Sequence, residues 1–283
     1  MMKNILVPTD FSDNALKAAL FAAEIARENG ATVFFMHALE LGSEKVYQPF
    51  NLHEKYNSLV TEDRMKQLVS FSNSVTSVYT NLVTHVEVVE GFITDIMPEY
   101  CRNKNIDLVI MGTKGAGGVK ELLVGSVTYG VIKKTAVPVL AVPGEYEVEQ
   151  PDAILFATSH FEENIGLLQP VIELATLFGA AIHVVVFADN KHADAQEYMD
   201  KTRNIDHYLE FLRKHYPEVN FKGGLIDGTN FEAALDRYAL KNEIDIITMI
   251  PYPKSFFERI IHPGATKKIA CHSHIPVLVI PAG

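Results

Sequence analysis

Cysteine is scarce in this chain of 283 residues. Its two, Cys101 and Cys271, give no framework of paired spacings, which predicts a reducing, cytoplasmic setting. Long apolar runs are missing too, none approaching the roughly 20 residues that a membrane span needs. The opening "MMKNILVPTDFS" has one lysine and a short apolar run broken by Pro8, too little for a signal peptide. Positive charge is in deficit: 25 basic against 35 acidic residues give −10. The deficit lies mostly in the second half, with net −2 up to residue 144 and −8 beyond it. Such a surface repels nucleic acid and anionic lipid, so neither is expected as a partner. No tract is low in complexity, and 48% apolar with 21% charged residues is a globular balance. The length favours two domains, since single cores seldom grow beyond about 250 to 300 residues.

What the chain does contain, it contains twice. "NIDLVIMG" from Asn105 returns as "EIDIITMI" from Glu243, a shift of 138. "VPVLAVPG" from Val137 returns at the same shift as "IPVLVIPA". "NILVPTDFS" from Asn4 parallels "AILFATSHF" from Ala153, a shift of 149. Two domains follow, 1–144 and 152–283, with a short polar linker between them, as duplication and fusion would leave.

Within the first copy, apolar runs alternate with helical patterns. "ILVPT", "TVFFMHAL", "VTHVEVVE", "DLVIM" and "PVLAV" read as strands. Helices are expected after Ser12, stopping near Gly30, and at about 93–104 and 126–135. Fully apolar short runs imply strands buried on both faces, as parallel sheets require. The fold expected is α/β: two tandem Rossmann-like or flavodoxin-like domains, each a five-stranded parallel sheet of order 3-2-1-4-5 with helices on both faces. Ligands of such sheets sit at the carboxyl ends of the strands, where strand order reverses. The loops after "ILVPT" and "DLVIM" are therefore the candidate site.

The second of these loops opens "MGTKGAGGVKELLVGSVTYG". Gly112 allows a sharp turn and a close approach, and Gly115 follows. Gly125 and Ser126 then precede Val127 and Thr128 at the head of a helix. A helix N-terminus presents unpaired N–H groups and about half a positive charge, which suits phosphate. Hydroxyls of Ser126 and Thr128 and the ammonium groups of Lys114 and Lys120 add to this. Neither G-x-x-x-x-G-K-[ST] nor G-x-G-x-x-G is present. The bland alternative is a plain surface loop, with Ser126 an N-cap and Asp10 a turn residue.

The spacing Gly112-x2-Gly115-x9-Gly125-Ser126 resembles the nucleotide-binding signature of the universal stress protein (UspA) family, in its ATP-binding branch. "ILVPTDFS" and "PVLAVP" look like that family's first and last strands, and the resemblance runs over the whole chain as a tandem pair. It implies that Asp10, beside Pro8 and Thr9, lies at the ribose of an adenine nucleotide. Ala38, following His37, would back the adenine, and Met111 and Gly112 would flank the nucleotide. Gly115, Gly125, Ser126, Val127 and Thr128 would hold the phosphates. The ligand implied is ATP, or ADP or AMP, with Mg²⁺ or Mn²⁺ held mainly by the nucleotide. Family dimers pair their last strands, so the two copies here are expected to form a pseudo-dimer within one chain, with further homodimerisation open.

The second copy departs from the signature. Gly112, Gly115, Gly125 and Ser126 become Ile250, Pro253, Pro263 and Gly264, and Asp10 becomes Ser159. Prolines remove backbone donors, so this half is read as having lost the nucleotide site. "CHSH", Cys271 to His274, offers metal-competent side chains but no second cluster at zinc spacing, so a helix end is the simpler reading. His37 reads as a satisfied core histidine, and "FFERIIHP", from Phe256, as core rather than a partner surface. Two functions remain: a nucleotide-binding stress or signalling module acting through an unidentified protein partner, or a slow ATPase or nucleotide phosphohydrolase. A hydrolase needs a base for water and a charge clamp, and the glycine loop has no Arg, which favours binding. A third option is that the second half senses another small molecule.

Overall fold

The repeat in the sequence becomes a repeat of strands. The structure is a computed structural model describing residues 2–40, 50–113, 125–147, 149–190, 195–252 and 274–282, without the side chains of 50–56. In the first half β1 (Asn4–Pro8), α1 (Asp13–Asn29), β2 (Thr32–Leu39), α2 (Phe50–Thr76) and β3 (Val83–Glu90) come first. Then follow α3 (Ile93–Asn103), β4 (Leu108–Gly112), α4 (Ser126–Lys134) and β5 (Val139–Val142). The second half runs β6 (Ala153–Ala157), α5 (Ile165–Phe178), β7 (Ala181–Asp189), α6 (Ala195–His215), β8 (Phe221–Gly228) and α7 (Phe231–Lys241). It closes with β9 (Ile246–Met249) and β10 (Val277–Val279).

These strands form one sheet of order β3-β2-β1-β4-β5-β10-β9-β6-β7-β8. Each half has the expected 3-2-1-4-5 order, all parallel, and the halves join where β5 meets β10 antiparallel. Leu140 stands opposite Leu278 at the centre of that seam. Both edges are wholly apolar and buried, so each covers the other. The exposed outer edges instead carry polar residues, His85, Glu87 and Glu90 on β3 and Lys222 and Asp227 on β8.

Alternation along the inner strands fills two cores, one per face. Ile5, Val7, Leu108 and Ile110 pack with α1 and α2 on one side, while Leu6, Val109 and Met111 pack with α3 and α4 on the other. Helix α1 begins with Ser12 as N-cap, its side chain accepting from the Ala15 N–H, and ends at left-handed Gly30. Its alanines let it lie close on the sheet. The sequence pattern assigns no element between β2 and β3, yet the 27-residue α2 covers that stretch through Leu68, Phe71 and Val75. Among the described residues no helix is long and apolar enough to cross a membrane.

One buried polar group has a measurable consequence. His183 of β7 is 3% exposed, with Nδ1 3.2 Å from the Tyr238 hydroxyl. Its Nε2 has no hydrogen-bond partner among the described residues. Burial, and then the Lys222 ammonium, push its pKa down from 6.5. Below that value the unfolded chain takes up a proton that the folded state resists, so stability falls as pH drops. Urea unfolding should give a lower free energy at about pH 5.5 than at about pH 7.5. His183→Phe, which copies the Phe34 of the first half, should flatten that difference. An unchanged slope would assign the effect elsewhere.

Candidate functional site

The chain leaves β1 and β4 side by side at their carboxyl ends, and the order reverses between them. Pro8 ends β1 and is buried. Thr9 is buried as well and locked on three sides. Its N–H donates to the Met36 carbonyl at 2.9 Å, its Oγ1 accepts from the Phe11 N–H at 2.9 Å, and its carbonyl faces His37 Nδ1 at 2.8 Å. A carbonyl only accepts, so Nδ1 of His37 carries the proton. The His37 ring also stacks on Phe11 at 4.5 Å, and Phe11 sits at φ 66°. His37 is thus held in place as expected, and Ala38 follows it half-buried on β2.

Asp10 is exposed at the mouth. Its Oδ1 accepts from the Ser12 N–H at 3.1 Å and from Ser12 Oγ at 2.5 Å. This is an Asx turn that sets the start of α1.

On the neighbouring strand Met111 is buried and Gly112 half-buried. A Cβ at Gly112 would come 3.0 Å from the backbone carbonyl carbon and oxygen of Asn14. A side chain there would press α1 back by a few tenths of an ångström, so the glycine favours the close approach of α1, a reason independent of any ligand. Thr113 then makes a neck: its N–H donates to the Val142 carbonyl at 3.0 Å and its carbonyl accepts from the Gly125 N–H at 2.6 Å. Lys114, Gly115 and Lys120 lie outside the described residues.

Helix α4 starts one residue earlier than an N-cap at Ser126 would require. Gly125 is the N-cap and has no side chain to supply a cap bond, and Ser126 is the first helical residue. Ser126 and Val127 are exposed, Val127 by 49%. The Thr128 hydroxyl, expected to face phosphate, is turned inward: it is buried and donates to the Gly112 carbonyl at 2.9 Å. That bond ties the helix start to the strand end. What the site can offer an anion is the first turn of α4, where backbone N–H groups have no intrahelical acceptor.

At the corresponding strand ends of the second half, the described side chains contact one another. Ile250, in place of Gly112, is a core residue at 3% exposure. Beyond it Tyr252 packs on His160 at 4.3 Å, and its hydroxyl bonds the Glu162 carboxylate. Burial, and then Glu162, push the Tyr252 phenol up to about 12. Ser159, in place of Asp10, has its Oγ 2.8 Å from His160 Nδ1. Pro253, Pro263, Gly264, the segment from Phe256, Cys271 and His272 lie outside the described residues. His274 is described, its Nδ1 3.0 Å from Glu145 Oε2.

Sequence comparison decides the family. The family model described as the universal stress protein family matches residues 1–143. The chain belongs to that family. A universal stress protein of Methanocaldococcus jannaschii is 31% identical over 142 residues, 50% of this chain and 82% of the relative. One from Synechocystis is 23% identical over 298 residues, 98% of this chain and 99% of its own. Relatives of this family thus run through both halves. The crystal structure of a universal stress protein from Archaeoglobus fulgidus, 17% identical, matches with a TM-score of 0.73 over 99% of this chain and 98% of that one. The shared architecture is therefore that of the family.

Two contributors to the mouth escape sequence reasoning. Asn14 lies against Gly112, and its Oδ1 occupies the space a Cβ at Gly144 would take. Two glycines, one ending β4 and one just past β5, are the available signal of something passing close by. Phe11, stacked on His37, has a left-handed backbone that its residue type gives no reason to expect.

Proposed function

We propose that the chain is an adenine-nucleotide-binding stress or signalling module, with ATP held in residues 1–144 and no nucleotide in 152–283. The observation that carries this is the start of α4. An N-cap glycine leaves its first turn uncapped by a side chain, next to the strand crossover at which such sheets take ligands. In this reading the N–H groups of Ser126 and Val127 receive phosphate, Thr128 anchors the helix, and Gly115 completes the cradle. Pro8, Thr9 and Asp10 lie at the ribose, Ala38 at the adenine, and Met111 and Gly112 under the nucleotide. Mg²⁺ or Mn²⁺ would be held mainly by the phosphates of the nucleotide. Nucleotide occupancy would then alter the mouth that a protein partner meets.

Calorimetric titration of the full chain with ATP is expected to give one site per chain. Asp10→Ala should weaken ATP, ADP and AMP alike by roughly 5- to 150-fold, the size of a lost charge-assisted hydrogen bond. Because Asp10 also holds the Asx turn, the empty variant should melt lower. Two equivalent sites would remove the asymmetry between halves, and no binding at millimolar ATP would remove the function.

A further inference from the structure

Helices α3 and α7 are counterparts in the repeat, each of 11 residues, yet they start differently. The N-cap of α7 is Asn230, whose side chain accepts from the Ala233 N–H at 2.9 Å. At the shift of 138 its counterpart is Phe92, the N-cap of α3, which makes no side-chain cap bond. An apolar N-cap forgoes a bond that asparagine makes at the same place. Nor is the ring buried in exchange, for Phe92 is 58% exposed. A local choice that works against the helix and gains little packing marks a place where function sets the residue.

The neighbours of Phe92 say which function. The Gly91 N–H donates to the Leu39 carbonyl at 3.0 Å, so the chain enters α3 beside the end of β2. Ala38 is there, in register with Val89. Phe34 and Met36 lie on the sheet face that α3 and α4 cover, and alternation puts Ala38 on the same face. The start of α3 also adjoins α4. A Cβ at Gly130 would meet Thr94 Cγ2 at 2.7 Å, and Lys134 Nζ pairs with Asp95 Oδ1 at 2.6 Å. Val127, exposed by 49%, precedes Gly130 by three residues. Phe92 thus neighbours the end of β2, which the nucleotide reading gives to adenine, and the head of α4, which it gives to phosphate.

The second half, which lacks the signature, differs at these very positions. At the shift of 149 Ala38 becomes Phe187, and at the shift of 138 Ile93 becomes Phe231. Those two rings meet edge to face at 5.4 Å, directly behind the capping Asn230. One half has a capped helix and an aromatic pair that satisfies itself. The other has a small residue on the strand and a phenylalanine ring turned out to the mouth. We infer that Phe92 is the platform for the base, its ring stacking on an adenine that lies against Ala38. This rests on the nucleotide reading and adds to it a specificity-determining residue, one that holds adenosine phosphates in preference to bare phosphates.

Titration of the full chain with ATP, ADP and AMP tests this. Phe92→Ala should weaken all three alike by about 5- to 150-fold, the size of one base–aromatic stack, because the base is common to them. Phe92→Asn, which copies Asn230, should weaken them as much while the empty protein melts about 1 to 4 °C higher, since a cap bond is gained. Phe92→Trp keeps an aromatic ring and should hold ATP within about threefold of the parent. The chain has no tryptophan of its own, so the indole emission of that variant reports on this position alone. ATP and AMP should quench it, and inorganic triphosphate should not. Parental affinity in Phe92→Ala, or ATP bound by Phe92→Trp with unchanged emission, would overturn the inference and leave the nucleotide reading standing. A parent that binds no ATP would remove that reading, and this inference with it.

Discussion

Leu140→Ala should lower the unfolding free energy by about 2 to 5 kcal/mol, the cost of a large-to-small change in a closed core. Leu140 is fully buried, stands opposite Leu278 across the antiparallel seam, and shares one core with it. Leu278→Ala should cost a similar amount, for the same reason. Directly opposed side chains interact, so the double variant should lose less than the sum of the two, by about 0.5 kcal/mol or more. Val184 is the control: it lies in the same core but on β7, three strands beyond β10. Leu140→Ala with Val184→Ala should be additive to within about 0.5 kcal/mol. Urea unfolding of the five variants measures all of this. Strict additivity of the Leu140 and Leu278 changes would mean that the two halves do not share a seam in solution.

That seam is legible in the sequence, because both final strands are apolar and an apolar edge needs a cover. The strands of the first half are legible to within a residue or so for the same kind of reason. "TVFFMHAL" and "VTHVEVVE" coincide with β2 and β3, since alternation and β-branched residues act locally. Helix α2 is harder to read although Leu68, Phe71 and Val75 recur at helical spacing; polar residues around them thin the pattern. The Asx turn at Asp10 is readable from Asp-x-Ser. The inward turn of Thr128 is not, because its acceptor is the carbonyl of Gly112 on another element. Nor is the reason for Gly112 itself. The sequence pairs it with a phosphate signature, whereas the structure also sets Asn14, nearly a hundred positions earlier, against it. A single glycine can satisfy both demands, and only the packing reveals the second.

This double demand separates two glycine variants that the signature alone would treat alike. Gly125 has φ −62° and ψ 160°, which any residue adopts, so Gly125→Val places no strain on the backbone. As glycine is the better N-cap residue, the melting temperature should fall a little, but less than for Gly112→Val. On the proposed function it should also weaken ATP by at least about tenfold, or 1.4 kcal/mol, by crowding the phosphate-facing turn. Gly112→Val is expected to lose both properties. Its Cβ would press on the Asn14 backbone at 3.0 Å, and backbone gives way less readily than a side-chain tip. Overpacking of this kind costs about 1 to 3 kcal/mol, and valine adds two methyl groups beyond the Cβ. Gly112→Ala should fall between parent and valine in melting temperature. Thermal melts of the empty proteins, followed by ATP titration well below each melting point, distinguish the two glycines. If Gly125→Val bound ATP like the parent, the first turn of α4 would not be the phosphate site. If Gly112→Val melted like the parent, α1 would not lie as close to β4 as its alanine-rich face allows.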